Sequence, residues 1–110
     1  MFTPQDAIAK LDESIAVAGE TIVLRKSNAA TPSVEIMGHV RKVSSDEIDG
    51  TTIRQNDKKV IISPTGLEGF GLPQAGGFAL IDNEPHAIIG KPDYMKMADT
   101  VVRIEMFVKG

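Results

Sequence analysis

The sequence predicts a mainly β protein: a small barrel or sandwich of about six strands, with one N-terminal α-helix and one long polar loop. Three observations carry this. Short apolar runs alternate with polar residues and are separated by turn formers, whereas a single early segment has helical spacing. A polar stretch, residues 44–57, lies between two strand-like runs, and connections of that length inside a small domain are usually functional or disordered. The chain has 110 residues, enough for one domain with a core, residues 1–110, and too few for two.

The helix is expected over about residues 4–18. Thr3 suits the N-cap, Pro4 the first helical position and Asp6 the first turn. Ile8, Leu11, Ile15 and Ala18 recur at helical spacing, Lys10, Asp12 and Glu13 occupy other faces, and Gly19 supplies a C-cap. The barrel is expected over about 20–109. In the first strand, 20–26, Ile22 and Leu24 alternate against Val23 and Arg25. Residues 28–32 carry turn chemistry. A long strand over 34–43 then puts Ile36 and Val40 on one face and Met37 and Val43 on the other, making a long hairpin with a mobile tip. Further strands are expected at 59–63, 77–81, 86–89 and 101–108, the last with Val102, Ile104, Met106 and Val108 on one side. Residues 82–85 read as a short turn. Residues 66–77 form a Gly- and Pro-rich connection with Phe70 and Leu72 as anchors, and 92–99 read as loop.

Apolar residues make up 42% and charged residues 25% of the chain, Trp and Cys are absent, and the formal net charge is −3. The core must therefore be aliphatic, and stacking platforms for single-stranded nucleic acid are disfavoured. Without cysteine there is no disulfide, thiolate metal site or cysteine nucleophile. Lys and Arg are scattered and make no phosphate-neutralising stripe. The N-terminus lacks the pattern of a signal peptide and no apolar run reaches the length of a membrane span, so a soluble chain made in a reducing cytoplasm is expected.

Catalytic and metal-binding patterns are weak. His39 and His86 would need a third ligand such as Glu84 or Asp93 and lack zinc-site spacing, so ordinary half-exposed strand histidines are expected. Ser63, His86 and Asp82 are the residue types of a hydrolase triad without a nucleophile elbow. Residues 66–71 imitate a phosphate loop, but no Gly-Lys-Ser/Thr closes it, and a flexible connection is expected. Asp46, Glu47 and Asp49 form an acidic cluster whose spacing is not that of an EF-hand. No enzyme activity, cofactor or metal is expected. On composition alone, residues 44–57 read equally as a surface loop or an interaction loop. Ile48 and Ile53 are apolar, Gly50 is a break between them, and Thr51 and Thr52 have strand propensity.

From Asp57 the run Lys58, Lys59, Val60, Ile61, Ile62, Ser63 is followed by Pro64-Thr65-Gly66-Leu67, then by the Gly-rich approach and hairpin of 76–82, and by a last strand ending Phe107-Val108-Lys109-Gly110. In order and length this resembles the head-tail joining, or head-closure (stopper), connector proteins of long-tailed phages and gene-transfer particles, over roughly residues 20–110. The more pronounced helix and Asn83-Glu84 in the later hairpin depart from the pattern. The resemblance implies a structural virion protein, made in a bacterial host cytoplasm, that assembles as a six- or twelve-fold ring at the head-tail interface. Its implied partners are portal and adaptor proteins on one side, tail-completion or tail-tube proteins on the other, and packaged double-stranded DNA in passing, with no membrane. Asp46, Glu47, Ile48, Asp49, Gly50, Ile53, Arg54 and Asp57 would then belong to a loop that closes or lines the DNA channel. The alternatives are a neighbouring adaptor or tail-completion subunit without a gate, and a small-molecule enzyme or oligonucleotide-binding barrel.

Overall fold

A computed structural model describes residues 2–27, 33–50, 53–67 and 69–110. Helix α1 spans Pro4–Ala18, and its start forms as the sequence predicts. The Thr3 backbone N–H donates to Asp6 Oδ2 at 2.8 Å and the Asp6 N–H donates to Thr3 Oγ1 at 3.2 Å, a reciprocal cap that satisfies two otherwise orphaned donors. The helix ends at Gly19, whose N–H reaches the Ile15 carbonyl at 2.6 Å. Gly19 is not in the left-handed region (φ −85°). Glycine is needed there because a Cβ would fall 2.6 Å from the Ile15 carbonyl oxygen and 2.9 Å from that of Gly38.

Six strands follow: β1 Glu20–Arg25, β2 Ser33–Lys42, β3 Lys58–Ile62, β4 Phe78–Ile81, β5 Glu84–Met97 and β6 Thr100–Val108. They close into a barrel in the order β1-β2-β3-β6-β5-β4. Every neighbouring pair is antiparallel. The expected mainly β barrel with one N-terminal helix is therefore the fold, and closure leaves the sheet without a free edge.

The interior is filled from alternate positions: Ile22 and Leu24, Ile36, Val60 and Ile62, Ala79 and Ile81, Ile88, then Ile104, Met106 and Val108. Each fully buried aliphatic side chain contributes about 1.5–3 kcal/mol. Gly38 also faces inward, where a Cβ would lie 2.7 Å from Ile62 Cγ2 and 2.8 Å from Ile22 Cδ1. A barrel this narrow accommodates its isoleucines only because one inward position carries no side chain.

The helix lies outside the barrel against β2 and β6. Ile15 is its one buried residue among those described, Ile8 and Leu11 are half-buried and Ala18 is exposed. Polar contacts complete the docking: Asp12 accepts from the hydroxyls of Ser63 and Thr65, and Ser14 Oγ lies 3.2 Å from His39 Nε2.

Two expectations about β5 are overturned. Residues 92–97, read as loop, are the second half of β5, paired from Asp93 to Met97 with β6. Gly90 (φ +64°) and Pro92 fall at a register shift between Ile89 and Asp93, where a bulge tolerates both. The turn before β5 is also shorter than expected. Asp82 and Asn83, with φ of 54° and 65°, make a two-residue turn of the kind that matches strand twist, and Glu84 and Pro85 already belong to β5. The expected tip at 28–32 lies outside the described residues.

Candidate functional site

Residues 44–57 leave the barrel at the end of β2 and return at the start of β3. Their base is closed by the Val43 N–H on the Asp57 carbonyl at 3.4 Å. Three small turns fold the loop onto itself. In the first, the Glu47 N–H donates to the Ser44 carbonyl at 3.0 Å, while Ser44 donates its N–H and hydroxyl to Glu47 Oε1 at 2.8 and 3.0 Å. In the second, the N–H groups of Asp49 and Gly50 donate to the Ile53 carbonyl and the Ile53 N–H returns to Asp49 Oδ1 at 2.8 Å. In the third, Asp57 Oδ2 accepts the Arg54 N–H at 2.9 Å. Asp57 is buried, and its other oxygen takes the Gly110 N–H at 3.1 Å, tying the loop to the end of the chain's last segment.

The loop is anchored to the outer barrel wall through charge. Arg41 of β2 grips Glu47 with two parallel bonds of 2.9 Å. Lys59 of β3 lies 3.0 Å from the same carboxylate and 2.6 Å from Glu105 of β6, and Arg103 lies 2.7 Å from Glu105. The three central side chains, Glu47, Lys59 and Glu105, are only 17, 15 and 13% exposed, so the pairs are shielded from the screening that weakens surface ion pairs. Lys59 also sits 5.4 Å from the centre of the Phe107 ring.

The titration behaviour follows from these contacts. Hydrogen bonds from Arg41, the Ser44 backbone and Lys59 hold the Glu47 carboxyl well below the usual carboxylate range. Burial penalises the Glu105 carboxylate, but Lys59 and Arg103 outweigh it and lower its pKa. Burial likewise opposes the Lys59 ammonium, and bonds to Glu105 and Glu47 more than compensate.

The residues singled out from sequence are thus sorted by role. Glu47 and Asp57 point inward as anchors, and Asp49 closes a turn. Asp46, Gly50 and Arg54 are exposed, and Ile48 and Ile53 are half-buried. The acidic trio is therefore dispersed, and among the described residues no group of three His, Asp or Glu side chains could hold a metal. Thr51 and Thr52 lie outside the described residues. In β3, the strand singled out from the sequence, Val60 and Ile62 are fully buried, Ile61 is buried and Lys58 is half-buried. Lys59 joins the charge network and Ser63 binds Asp12. Arg41, Arg103 and Glu105 were not legible as partners, because only the register of β2, β3 and β6 brings them to one outer face.

The histidines take separate partners, half-buried His39 with Ser14 and His86, which is buried and not half-exposed as expected, with the Lys109 carbonyl at 2.6 Å, on strands that are not neighbours. With Ser63 on Asp12 and Asp82 in a hairpin turn, the triad residue types are not assembled. Leu67 and Phe70 of the Gly-rich connection are buried and cap the core; Glu68 lies outside the described residues. No helix among the described residues is long and apolar enough to cross a membrane. No protein-family model matches the chain, and no curated protein matches it.

Proposed function

We propose that this chain is a head-completion, or stopper, subunit of a phage-like particle, acting as a ring between the portal-adaptor complex and the tail, with residues 44–57 as the element that closes or lines the DNA channel. The observation that carries the reading is the construction of that loop. Its base is pinned to the barrel by Arg41, Glu47, Lys59 and Asp57, while Asp46, Gly50 and Arg54 stay exposed. A loop held firmly at its root, with polar residues exposed beyond it, suits a segment that meets copies of itself around an axis.

Ring assembly multiplies weak contacts, so Ile48 and Ile53, incompletely covered in one subunit, fit packing between neighbours. The acidic balance of the chain fits a channel through which DNA slides without being gripped. In the particle, the partners would be portal or adaptor proteins, tail-completion or tail-tube proteins, and DNA in transit.

The test removes residues 48–53 and leaves Glu47 and Asp57 in place, so that the anchoring survives. Particles carrying this variant are expected to assemble heads but lose packaged DNA before tails join. Normal DNA retention with normal tail joining would instead favour an adaptor or tail-completion subunit that has no gate.

A further inference from the structure

Past the last residue of β6, Lys109 and Gly110 form an exposed pair that runs beside the root of the 44–57 loop. Among the described residues three bonds hold the pair, each through its backbone. The Lys109 N–H donates to the Ala87 carbonyl at 2.9 Å, and the Gly110 N–H donates to Oδ1 of buried Asp57 at 3.1 Å. The Lys109 carbonyl lies 2.6 Å from Nδ1 of buried His86 and can only accept, so that ring nitrogen carries the proton. The fit at position 110 is tight: a Cβ there would overlap the Asn56 carbonyl group, and backbone atoms cannot swing aside as a side-chain tip can.

Asp57 carries these contacts into the loop. Its Oδ2 accepts the Arg54 N–H at 2.9 Å, its own N–H donates to the Arg54 carbonyl at 3.0 Å, and its carbonyl accepts the Val43 N–H at 3.4 Å. The turn over 54–57 and the closure of the loop therefore meet at the same residue that holds Gly110. If the pair lifts away, buried Oδ1 loses its donor, and a buried carboxylate oxygen without a partner is costly. The two limbs of the loop are thus held differently. Residues 44–47 are pinned by the ion pairs of Glu47 with Arg41 and Lys59, whereas 54–57 are pinned through Asp57 and Gly110.

We propose that Lys109 and Gly110 are a latch on the second limb of the loop, residues 54–57. Seated, the pair orders that limb; lifted away, it frees the limb while the barrel and the first limb keep their structure. A pair held by backbone bonds alone, with no buried side chain, belongs to the low end of local stability, where segments open without global unfolding. A protein partner that takes up the backbone of 109–110 competes for it with Ala87, His86 and Asp57. Its binding and the freeing of residues 54–57 therefore favour each other by linkage. The latch is a property of the single chain and stands apart from the connector reading: exchange in the isolated chain tests the first, and DNA retention by particles tests the second.

The test compares amide hydrogen exchange in the isolated full chain and in Gly110→Ala, whose methyl meets the Asn56 carbonyl and displaces the pair. The N–H groups of Arg54 and Asp57 are expected to exchange about tenfold faster in the variant, the scale of one lost bond to a charged group. Those of Ser44, Glu47 and strands β1 and β4 should keep their native rates. Lys109→Ala retains all three backbone bonds and should exchange as the native chain does. Asp57→Asn trades one acceptor oxygen for a donor and should free the same amides, and adding Gly110→Ala to it should change them by less than Gly110→Ala does alone. If Gly110→Ala fails to fold, Asp57→Asn carries the comparison. Native rates at Arg54 and Asp57 in these variants, acceleration spread equally over β1 and β4, or an equal effect of Lys109→Ala would overturn the latch.

Discussion

The carboxylate of Glu47 lies 3.0 Å from the ammonium of Lys59, joining a loop residue to the middle of an alternating row of charges on the outer barrel wall. Glu47 accepts from Arg41, Lys59 and both donors of Ser44, so removing it leaves Arg41 without its bidentate acceptor. Glu47→Ala should cost about 1–2 kcal/mol of stability, between the values for exposed ion pairs and for charge-assisted bonds to buried groups. Urea unfolding measures the loss, and amide exchange across residues 44–57 should accelerate more than exchange in β1 and β4.

The same contacts set an acid dependence. Glu47 and Glu105 have folded pKa values below the ordinary carboxylate value of about 4.3. Their contribution is therefore fully present above that pH and is lost as pH falls through their lowered values. Stability measured from pH 6 downward should fall more steeply for the native chain than for Glu47→Gln, and the two curves should converge in strong acid. Parallel curves would mean that Glu47 is not titrating as a paired carboxylate.

The narrowness of the barrel gives a packing prediction. Gly38→Ala places a methyl against Ile62 Cγ2 and Ile22 Cδ1 and should destabilise by about 1–3 kcal/mol. Ile22→Val deletes that δ carbon, so adding it to Gly38→Ala should recover part of the loss. A double-mutant cycle by urea unfolding reads the coupling.

The β5–β6 hairpin turns on Ala98 and Asp99, with φ of 49° and 65°. Alanine in the left-handed region costs about 1–2 kcal/mol, and asparagine tolerates it better. Ala98→Asn should therefore raise stability by about 0.5–1 kcal/mol, seen as a rise of a few degrees in Tm. An unchanged or lower Tm would argue against that turn geometry.

Much of this fold was legible because its signals are local. Thr3, Pro4 and Asp6 mark the helix start by chemistry that needs no tertiary contact. Period-two alternation at Ile22 and Leu24, and at Ile104, Met106 and Val108, identifies the inward face of each strand. The second half of β5 was hidden because Gly90 and Pro92, ordinary chain breakers, sit inside a strand at a bulge. Leu67 was missed as a core residue because it lies in a turn-rich segment with no periodicity. In the loop, composition marked residues 44–57 as unusual, but Glu47 looked like one acid of three. Its inward role depends on Arg41, Lys59 and Glu105 meeting across three strands, and strand register is not written in any one segment.

Electron microscopy of tail-less particle heads mixed with the purified full chain tests the connector reading most directly. The account predicts a ring of six-stranded barrels at the portal vertex, with residues 44–57 of each copy directed toward the central axis. Heads that bind no ring, or a ring in which those residues face outward and away from the DNA path, would contradict it.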